Sequence, residues 1–326
     1  GNGSNRSITG LNFQPDFLWG KSRTNTLNYY LTDSVRGVNS QLHSDTFVSQ
    51  DSESVIYTAF NSDGFSLGTG DMNLSGQNYA HWGWKGGGTA SSNTDGTITS
   101  SVSANPTAGF SVLTYTGNNT AGATIGHGLS SAPELIITKG RTASASAHSD
   151  DWFVYSKNQG ANAALKLNST ATAVTSATQY WNNTSPTSSV FSVSNDTVTN
   201  ENSRGYVAYC FHSVESYSKV GSYTGNGSTD GTFVYTVFKP QWILVKQTDS
   251  IRDWIMYDNK RSEFNVMGDY LHPNLNNAES SSGSVYIDFL SNGFKWRSAN
   301  TAINVASGNY IYLAFAESPF KYSNAR

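Results

Sequence analysis

The sequence contains a single cysteine, Cys210, among 326 residues, which rules out an internal disulfide and leaves stability to the apolar core. Charge is also scarce: 13% of the residues are Asp, Glu, Lys or Arg, and the formal net charge is -3. A nucleic-acid-binding surface needs a concentration of basic residues that this chain lacks. It also lacks apolar runs of the ~20 residues that a membrane-spanning helix requires. We therefore expect neither nucleic acid nor membrane insertion.

Catalytic motifs are missing as well. The sequence has no Gly-x-Ser-x-Gly elbow, phosphate-binding loop or dinucleotide fingerprint. Neighbouring carboxylates occur as Asp150-Asp151 and Asp249/Asp253, but such groups on a loop point apart or are simply solvated. No two of the histidines have metal-ligand spacing; they are His43, His81, His127, His148, His212 and His272. We expect a protein that is not an enzyme and has no catalytic, metal or cofactor residues.

One stretch is similar to the first half of a calcium loop. Residues 226–231, Asn-Gly-Ser-Thr-Asp-Gly, place oxygen ligands at alternate positions. The leading Asp is missing, however, and Val237 occupies the position that requires a bidentate Glu. We favour a turn, with a calcium loop as the alternative.

The chain does contain a motif that occurs three times. In its fullest form a Gly/Asn turn at residues 223–228, Tyr-Thr-Gly-Asn-Gly-Ser, precedes a proline and a short apolar strand that ends at Lys246. Related stretches end at Lys21 and Lys139, so the three lysines stand 118 and 107 residues apart. This period suits a repeated small domain. A residue that recurs in every copy more readily serves the common framework than a single chemical site.

Short apolar runs separated by turn residues predict strands throughout the chain. Residues 57–67 and 289–294 each place an Asp-Gly or Asn-Gly pair between apolar residues, which is a strong hairpin signal. Helical periodicity is scarce. We predict an all-β chain of three tandem β-sandwich repeats, of jelly-roll or concanavalin-like type. Its 8 Trp, 18 Tyr and 16 Phe are enough for three independent cores.

The predicted boundaries follow the recurring motifs. Repeat 1 covers residues 1–85, repeat 2 covers 110–216 and repeat 3 covers 217–326. Residues 86–109, rich in Gly, Ser and Thr, are interpreted as a linker in which Ile98 and Val102 could support a short edge strand. The first turn lacks the Tyr-Thr pair of the others, so we expect a truncated first repeat from a longer polypeptide.

The strand that closes each repeat has two faces, one of large residues and another with Tyr79/His81/Gly83, Tyr206/Ala208/Cys210 and Tyr310/Tyr312/Ala314. The large face carries Ala80/Trp82/Trp84, Val207/Tyr209/Phe211 and Ile311/Leu313/Phe315. We expect it to lie between the two sheets of its own repeat. Cys210 is on the opposite face, where the other repeats have Gly83 and Ala314. We interpret it as a small buried residue rather than a nucleophile.

An ionic pattern recurs in two of the repeats. Its positions are Lys21, Asp33 and Arg36 in repeat 1 and Lys246, Asp258 and Arg261 in repeat 3, at identical spacing. In repeat 2, Lys139 is retained, but Ser156 and Gln159 replace the acid and the base. A salt bridge that joins two strand ends is favoured over a ligand site.

The combined motifs resemble a known repeat domain. The Tyr-Thr-Gly-Asn-Gly turn, Ile125-Gly126-His127-Gly128-Leu129, Tyr257-Asp258-Asn259-Lys260-Arg261 and the closing Ala314-Phe315-Ala316-Glu317 are similar to an uncharacterised domain of virion structural proteins of marine and related tailed phages. The resemblance covers nearly the whole chain and supplies no catalytic residues.

The resemblance implies a structural protein on the virion surface, in a tail fibre, spike or head fibre. It also implies other virion proteins and further copies of this chain as partners, with a host receptor or surface glycan as a further candidate contact. A carbohydrate-binding module array and a secreted bacterial adhesin are the alternatives.

Overall fold

The computed structural model describes residues 1–144, 150–175, 178–281 and 283–317. His148 and the predicted end of repeat 3 beyond residue 317 lie outside the described residues. The fold is all-β, which confirms that prediction, and each α-helix in the described ranges is a single turn of four residues. None of these helices has the length and apolar character needed to span a bilayer. We call residues 1–85 the first segment, 86–216 the second and 217–317 the third.

The first segment forms three small antiparallel sheets. Its strands are β1 (Arg6–Thr9), β2 (Phe17–Ser22), β3 (Tyr30–Asp33), β4 (Ser40–Gln41), β5 (Asp51–Ser52), β6 (Tyr57–Asn61), β7 (Gly64–Leu67) and β8 (Tyr79–Trp84). The sheet orders are β3-β2-β8, β1-β7-β6 and β4-β5. A 3-10 turn covers Asp71–Asn73. The predicted hairpin around Asp63 and Gly64 is present, with Phe60 opposite Phe65.

The second segment contains a seven-stranded sheet and a small two-stranded sheet. Its strands are β9 (Ser91–Asn93), β10 (Ser100–Asn105), β11 (Phe110–Thr116), β12 (Ala123–Gly126), β13 (Leu135–Gly140), β14 (Phe153–Ser156), β15 (Leu165–Lys166), β16 (Val190–Val193) and β17 (Gly205–Phe211). Its helices are α1 (Thr178–Trp181) and α2 (Thr197–Asn200). The sheet orders are β15-β14-β13-β17-β11-β10-β9 and β12-β16.

The third segment repeats the scheme of one larger and one smaller sheet. Its strands are β18 (Ser218–Thr224), β19 (Phe233–Tyr235), β20 (Pro240–Gln247), β21 (Ile255–Asp258), β22 (Ile287–Leu290), β23 (Gly293–Trp296) and β24 (Asn309–Ala316). Helix α3 covers Thr301–Asn304. The sheet orders are β18-β24-β20-β21 and β19-β23-β22. The predicted Asn-Gly hairpin joins β22 to β23, with Phe289 opposite Phe294.

Residues 86–109, which the composition indicated to be a linker, instead provide β9 and β10. All six residues of β10 pair with β11. Val102 and Ile98 are buried in the core of the second segment. The Gly, Ser and Thr content is misleading here because ladder hydrogen bonds to a well-anchored neighbour stabilise a strand of small residues.

The core consists of one cluster that all three segments share and one interior cluster within each segment. The interior clusters lie between the sheets of a segment and include Tyr57 and Phe65 in the first, Tyr115 and Trp181 in the second, and Trp296 in the third. The shared cluster is formed by large residues of all three, with members Phe17, Trp19, Leu31, Trp84, Phe110, Ile137, Trp152, Tyr209, Phe211, Trp242, Leu244, Trp254 and Leu313 among others. The expectation of three independent cores is therefore wrong.

The closing strands show why. Their large face, expected inside each segment, points into the shared cluster, which contains Trp84, Tyr209 and Leu313. Their opposite face, which includes Cys210 and Ala314, lies in the segment interiors. Side-chain size identifies a buried strand, but when both faces are buried the alternation does not indicate which neighbour covers which face.

The last large residues of the three closing strands meet at the centre. Trp84 lies with its ring centroid 6.3 Å from Phe211 and 5.8 Å from Phe315, and Phe211 lies 6.1 Å from Phe315. All three pairs are edge-to-face, a geometry that contributes about 0.5–1.5 kcal/mol per pair beyond area burial. The three segments therefore surround a common aromatic contact.

Candidate functional site

The recurring Asp and Arg form an ion pair in both segments that have them. In the first segment, Oδ2 of Asp33 lies 2.6 Å from Nε of Arg36, and both side chains are fully buried. Oδ1 of Asp33 accepts hydrogen bonds from the backbone N–H groups of Val35 and Arg36. Burial acts to lower the pKa of Arg36, but the Asp33 carboxylate outweighs it and raises that pKa above its ordinary value. The Asp-x-x-Arg spacing thus lets Asp33 and Arg36 pair with each other across one turn at the end of β3.

The pair in the third segment has the same geometry. Oδ2 of Asp258 lies 2.6 Å from Nε of Arg261, and the two side chains are 5% and 4% exposed. The outer nitrogen Nη2 of Arg261 donates to the carbonyl of Met256, as Nη2 of Arg36 does to Leu31. Asp258 raises the pKa of Arg261 against the lowering effect of burial.

Each pair receives a hydrogen bond from the closing strand of another segment. The hydroxyl of Tyr209 in the second segment donates to Oδ2 of Asp33 at 2.9 Å. The indole Nε1 of Trp82 in the first segment donates to Oδ2 of Asp258 at 3.1 Å. Tyr209 and Trp82 are at equivalent positions of β17 and β8. The ion pairs therefore lie at junctions between segments, not only at strand ends.

A second set of side chains extends these junctions. At the junction of the first and second segments, Oε1 of Gln50 accepts from Arg141 at 2.9 Å and from Arg36 at 3.3 Å. At the junction of the third and first segments, Glu279 lies 2.6 Å from Arg261 and 2.6 Å from Arg23.

A backbone hydrogen bond marks the same place in all three junctions. The N–H of Gln50 donates to the carbonyl of Arg141, that of Glu279 to Arg23, and that of Ala173 to Thr248, at 2.8, 2.9 and 2.8 Å. The acceptor is always the second residue after the recurring lysine. The segments therefore contact one another in a closed cycle: first to second, second to third, third to first.

The junction between the second and third segments has neutral residues at every position of this network. They are Ser156 for the acid, Gln159 for its arginine, Ala173 for Gln50 or Glu279, Thr248 for Arg141 or Arg23, and Leu313 for Tyr209 or Trp82. Ser156 and Leu313 are buried. The acid, the bases and the aromatic donor are thus all absent from this junction, so no buried charge is left there without a partner.

The recurring lysines lie at the opposite end of the strand pair, away from the Asp and Arg. Lys21, Lys139 and Lys246 are fully buried, and burial lowers the pKa of each to about 8. Their ammonium groups donate to backbone carbonyls, Lys139 to Phe47 and Asp150, and Lys246 to Arg252 and Thr170. Phe47 and Thr170 belong to the preceding segment, so these two lysines also join segments.

The recurring Gly/Asn turns are each held by a buried asparagine. In the third segment, Asn304 accepts the backbone N–H of Asn226 on Oδ1 at 3.0 Å and that of Gly227 on its carbonyl at 2.8 Å. Equivalent bonds join Asn73 to Asn2 and Gly3, and Asn200 to Asn118 and Asn119. In addition, Oδ1 of Asn226 accepts from Ser228 and from Asn304, an arrangement that describes a turn.

The carboxylates considered for catalysis are engaged separately. Asp150 contacts Arg204, and Asp151 contacts Lys166 at 2.6 Å. Asp249 accepts from Gln247 and Asn309, and Asp253 accepts from Asn274.

The remaining candidates are histidines and the cysteine. Within the described ranges, no group of three His, Cys, Asp or Glu side chains could hold a metal ion. Burial lowers the pKa of His81 and of His127 to about 4. Cys210 is buried, as predicted, and burial raises the pKa of its thiol to about 12.

The junction roles of Tyr209, Trp82, Gln50 and Glu279 were not predicted from the sequence. An alignment of the three closing strands could have indicated Tyr209 and Trp82. Each of these rings carries a polar atom, and each belongs to a segment whose neighbour has the Asp-Arg pair. Gln50 and Glu279 lie in loops of unequal sequence, so no spacing indicated them.

Comparison with curated proteins and with solved structures gave no match. A family profile, in contrast, matches residues 1–319, which is nearly the entire chain. The protein therefore belongs to the family described as a domain of unknown function (DUF7483).

Proposed function

We propose that the three segments are copies of one β-sandwich, of jelly-roll or concanavalin-like type, arranged in a cycle. The recurring lysines, turn asparagines and junction hydrogen bonds support this proposal. So does the presence, in each segment, of one sheet that contributes to the shared core and another that packs on the segment's own interior cluster. The copies are in tandem along the chain but packed together in space.

We further propose that the protein is a structural component of a tailed-phage particle, in a surface appendage such as a tail fibre, spike or head fibre. The observation that carries this proposal is the use of the recurring residues. The lysines, the Asp-Arg pairs and the turn asparagines are bonded within the framework or across its junctions. Together with the resemblance to virion structural proteins, this favours a rigid building block.

The proposed partners are other virion proteins and further copies of this chain. Large apolar side chains remain exposed on loops, with Phe47 66% and Phe264 82% accessible. Exposed apolar groups of this kind are candidates for contact with neighbouring proteins. Host surface glycans are a further proposed contact, because several weak sites that act together bind strongly.

The virion proposal is tested by identifying the proteins of the particle and locating this chain on it. Purified virions are analysed by mass spectrometry, and antibodies raised against this chain are located on the particles by immunogold electron microscopy. We expect stoichiometric peptides and label on an external appendage. Recovery of the chain only outside particles, or degradation of a polysaccharide by the purified protein, contradicts the proposal.

A second candidate is a carbohydrate-binding module array or a secreted bacterial adhesin. It is favoured by the edge strand β19, where Phe233 and Tyr235 are 43% and 54% exposed. Such rings can stack on sugars. Secretion of the chain by a bacterium in the absence of phage particles distinguishes this candidate from the first.

A further inference from the structure

A groove of about 670 Å³ lies between the second and third segments. Gln159 and Ala173 line it on the side of the second segment, and Thr248 and Asp249 on the side of the third. It coincides with the neutral junction, since Gln159, Ala173 and Thr248 occupy the positions of the ionic network elsewhere.

The groove has a direct structural cause. In the other junctions the equivalent space is crossed by long side chains, Arg36 to Gln50 to Arg141 and Arg261 to Glu279 to Arg23. Here the arginines are replaced by Gln159 and Thr248, and the central acceptor by Ala173. The backbone hydrogen bond from Ala173 to Thr248 is retained at 2.8 Å, the same length as the bond from Gln50 to Arg141. The shorter side chains leave the space open.

The lining is rich in hydroxyl and amide groups. Apart from Gln159, Thr248 and Asp249 it includes Asn158, Ser222 and Asn309. Hydroxyl and amide groups both donate and accept hydrogen bonds, so they match a ligand that also does both. No lysine or arginine lines the groove among the described residues. An anionic ligand would therefore find no counter-charge.

Asp249 adds a fixed acceptor. Its carboxylate receives hydrogen bonds from Gln247 Nε2 at 2.8 Å and from the backbone and side chain of Asn309 at 2.8 and 2.9 Å. Its pKa is lowered because these hydrogen bonds outweigh the opposing effect of burial, so the group stays ionised at neutral pH. A carboxylate held in this way accepts strongly from hydroxyl groups and repels anions.

We propose that this groove binds an uncharged sugar residue of a surface glycan. The inference rests on the proposed function, in which the particle contacts host glycans, and assigns that contact to one of the three junctions. A sugar presents several hydroxyl groups that both donate and accept, as the lining does. In the charged junctions, the side chains of Arg141 and Arg23 extend into the equivalent space to reach Gln50 and Glu279.

The test is binding to a glycan array that carries neutral and acidic bacterial oligosaccharides, followed by titration of each neutral hit. Two variants obstruct the groove. A173E/T248R introduces the pair found as Glu279 and Arg23, and Thr224→Trp adds a ring at the exposed rim. The matched control is Thr116→Trp, because Thr116 is the equivalent exposed residue of the second segment and contacts a surface that includes Arg141.

We expect binding of a neutral oligosaccharide at a ligand concentration of about 1 mM or below, weakened at least about tenfold in both groove variants and unchanged in the control. Melting temperatures of all variants show that each is folded. Lack of any neutral ligand, a preference for acidic ligands, or equal binding by the groove variants overturns the proposal. A chain found on virions that fails this test overturns the groove assignment alone. A chain that binds sugar but is absent from virions overturns the virion assignment alone.

Discussion

The hydroxyl of Tyr209 donates a 2.9 Å hydrogen bond to the Asp33 carboxylate, although the two residues are 176 positions apart in the chain. Asp33 is at the same time the partner of Arg36. A local ion pair and a contact between segments therefore share one oxygen atom. The strength of the junction depends on both.

Tyr209→Phe is expected to lower the free energy of unfolding by about 1.5–3 kcal/mol, since it removes a buried hydrogen bond to a charged group and leaves the ring in place. Equilibrium unfolding in urea measures the change. Tyr235→Phe is the control, because Tyr235 is 54% exposed. Equal losses in the two variants would show that the hydrogen bond to Asp33 does not stabilise the junction.

Asp33→Ser is expected to lower the free energy of unfolding by about 3–5 kcal/mol, because it leaves the buried guanidinium of Arg36 without its partner. The double variant D33S/R36Q, which copies Ser156 and Gln159 of the neutral junction, is expected to cost less than the single variant. The measurement is again urea unfolding of both proteins. A double variant that is less stable than D33S would contradict the view that the replacements are coupled.

Lys139→Met is expected to change how stability depends on pH. The pKa of Lys139 is about 8 in the folded protein and 10.5 in its ordinary state. Between these two pKa values the unfolded chain binds more protons than the folded chain. The free energy of unfolding of the wild type therefore rises with pH, by up to about 1.4 kcal/mol per pH unit. This contribution is lost again as the pH falls towards 8.

The variant lacks this gain. The difference in unfolding free energy between wild type and Lys139→Met should therefore grow in favour of wild type from pH 8 to pH 10, the part of the window below the ordinary pKa of tyrosine. Lys85→Met, at a lysine on the exposed surface, serves as the control. A difference that stays constant over this range would contradict burial of the ammonium group.

Asn304→Asp is expected to destabilise the protein by about 3 kcal/mol. Nδ2 of Asn304 donates to Asn226, Ser228 and Ser298, and a carboxylate cannot donate to these acceptors. Thermal unfolding compares it with Asn292→Asp, a change at an exposed hairpin turn. If both variants melt alike, the buried amide does not hold the turn.

Residues 217–326 produced alone are not expected to form a well-packed domain. Trp242, Leu244 and Trp254 would lose the shared cluster that covers them. We expect weak near-ultraviolet circular dichroism and binding of the dye ANS, the behaviour of a chain without fixed packing. A sharp cooperative melting transition for the fragment would contradict the shared core.

Local features of this fold could be predicted from the sequence, and contacts between distant segments could not. The hairpin between Phe289 and Phe294 depends on an Asn-Gly turn, which is a property of adjacent residues. The Asp33–Arg36 pair depends on a spacing of three. The bond from Tyr209, in contrast, depends on how whole segments pack, and no local pattern specifies that packing.

The wrong predictions also concern contacts between segments or strands that are distant in the sequence. Strand alternation identified the large face of β17 but not that it faces the other segments, because both faces are buried. Composition suggested a linker at residues 86–109, because residue types alone do not reveal the backbone hydrogen bonds to β11. Lys21 and Asp33 have a constant spacing because both belong to one recurring strand pair, not because they touch.

The neutral junction has a consequence for how this architecture can change. In a homotrimer, every substitution appears at all three interfaces, so exchanging an ion pair for neutral residues would weaken the whole ring at once. Because one polypeptide supplies all three segments here, one interface is free to diverge while its two charged counterparts keep the ring closed. A single chain can thus carry one neutral interface with an open groove while its other two interfaces stay charged.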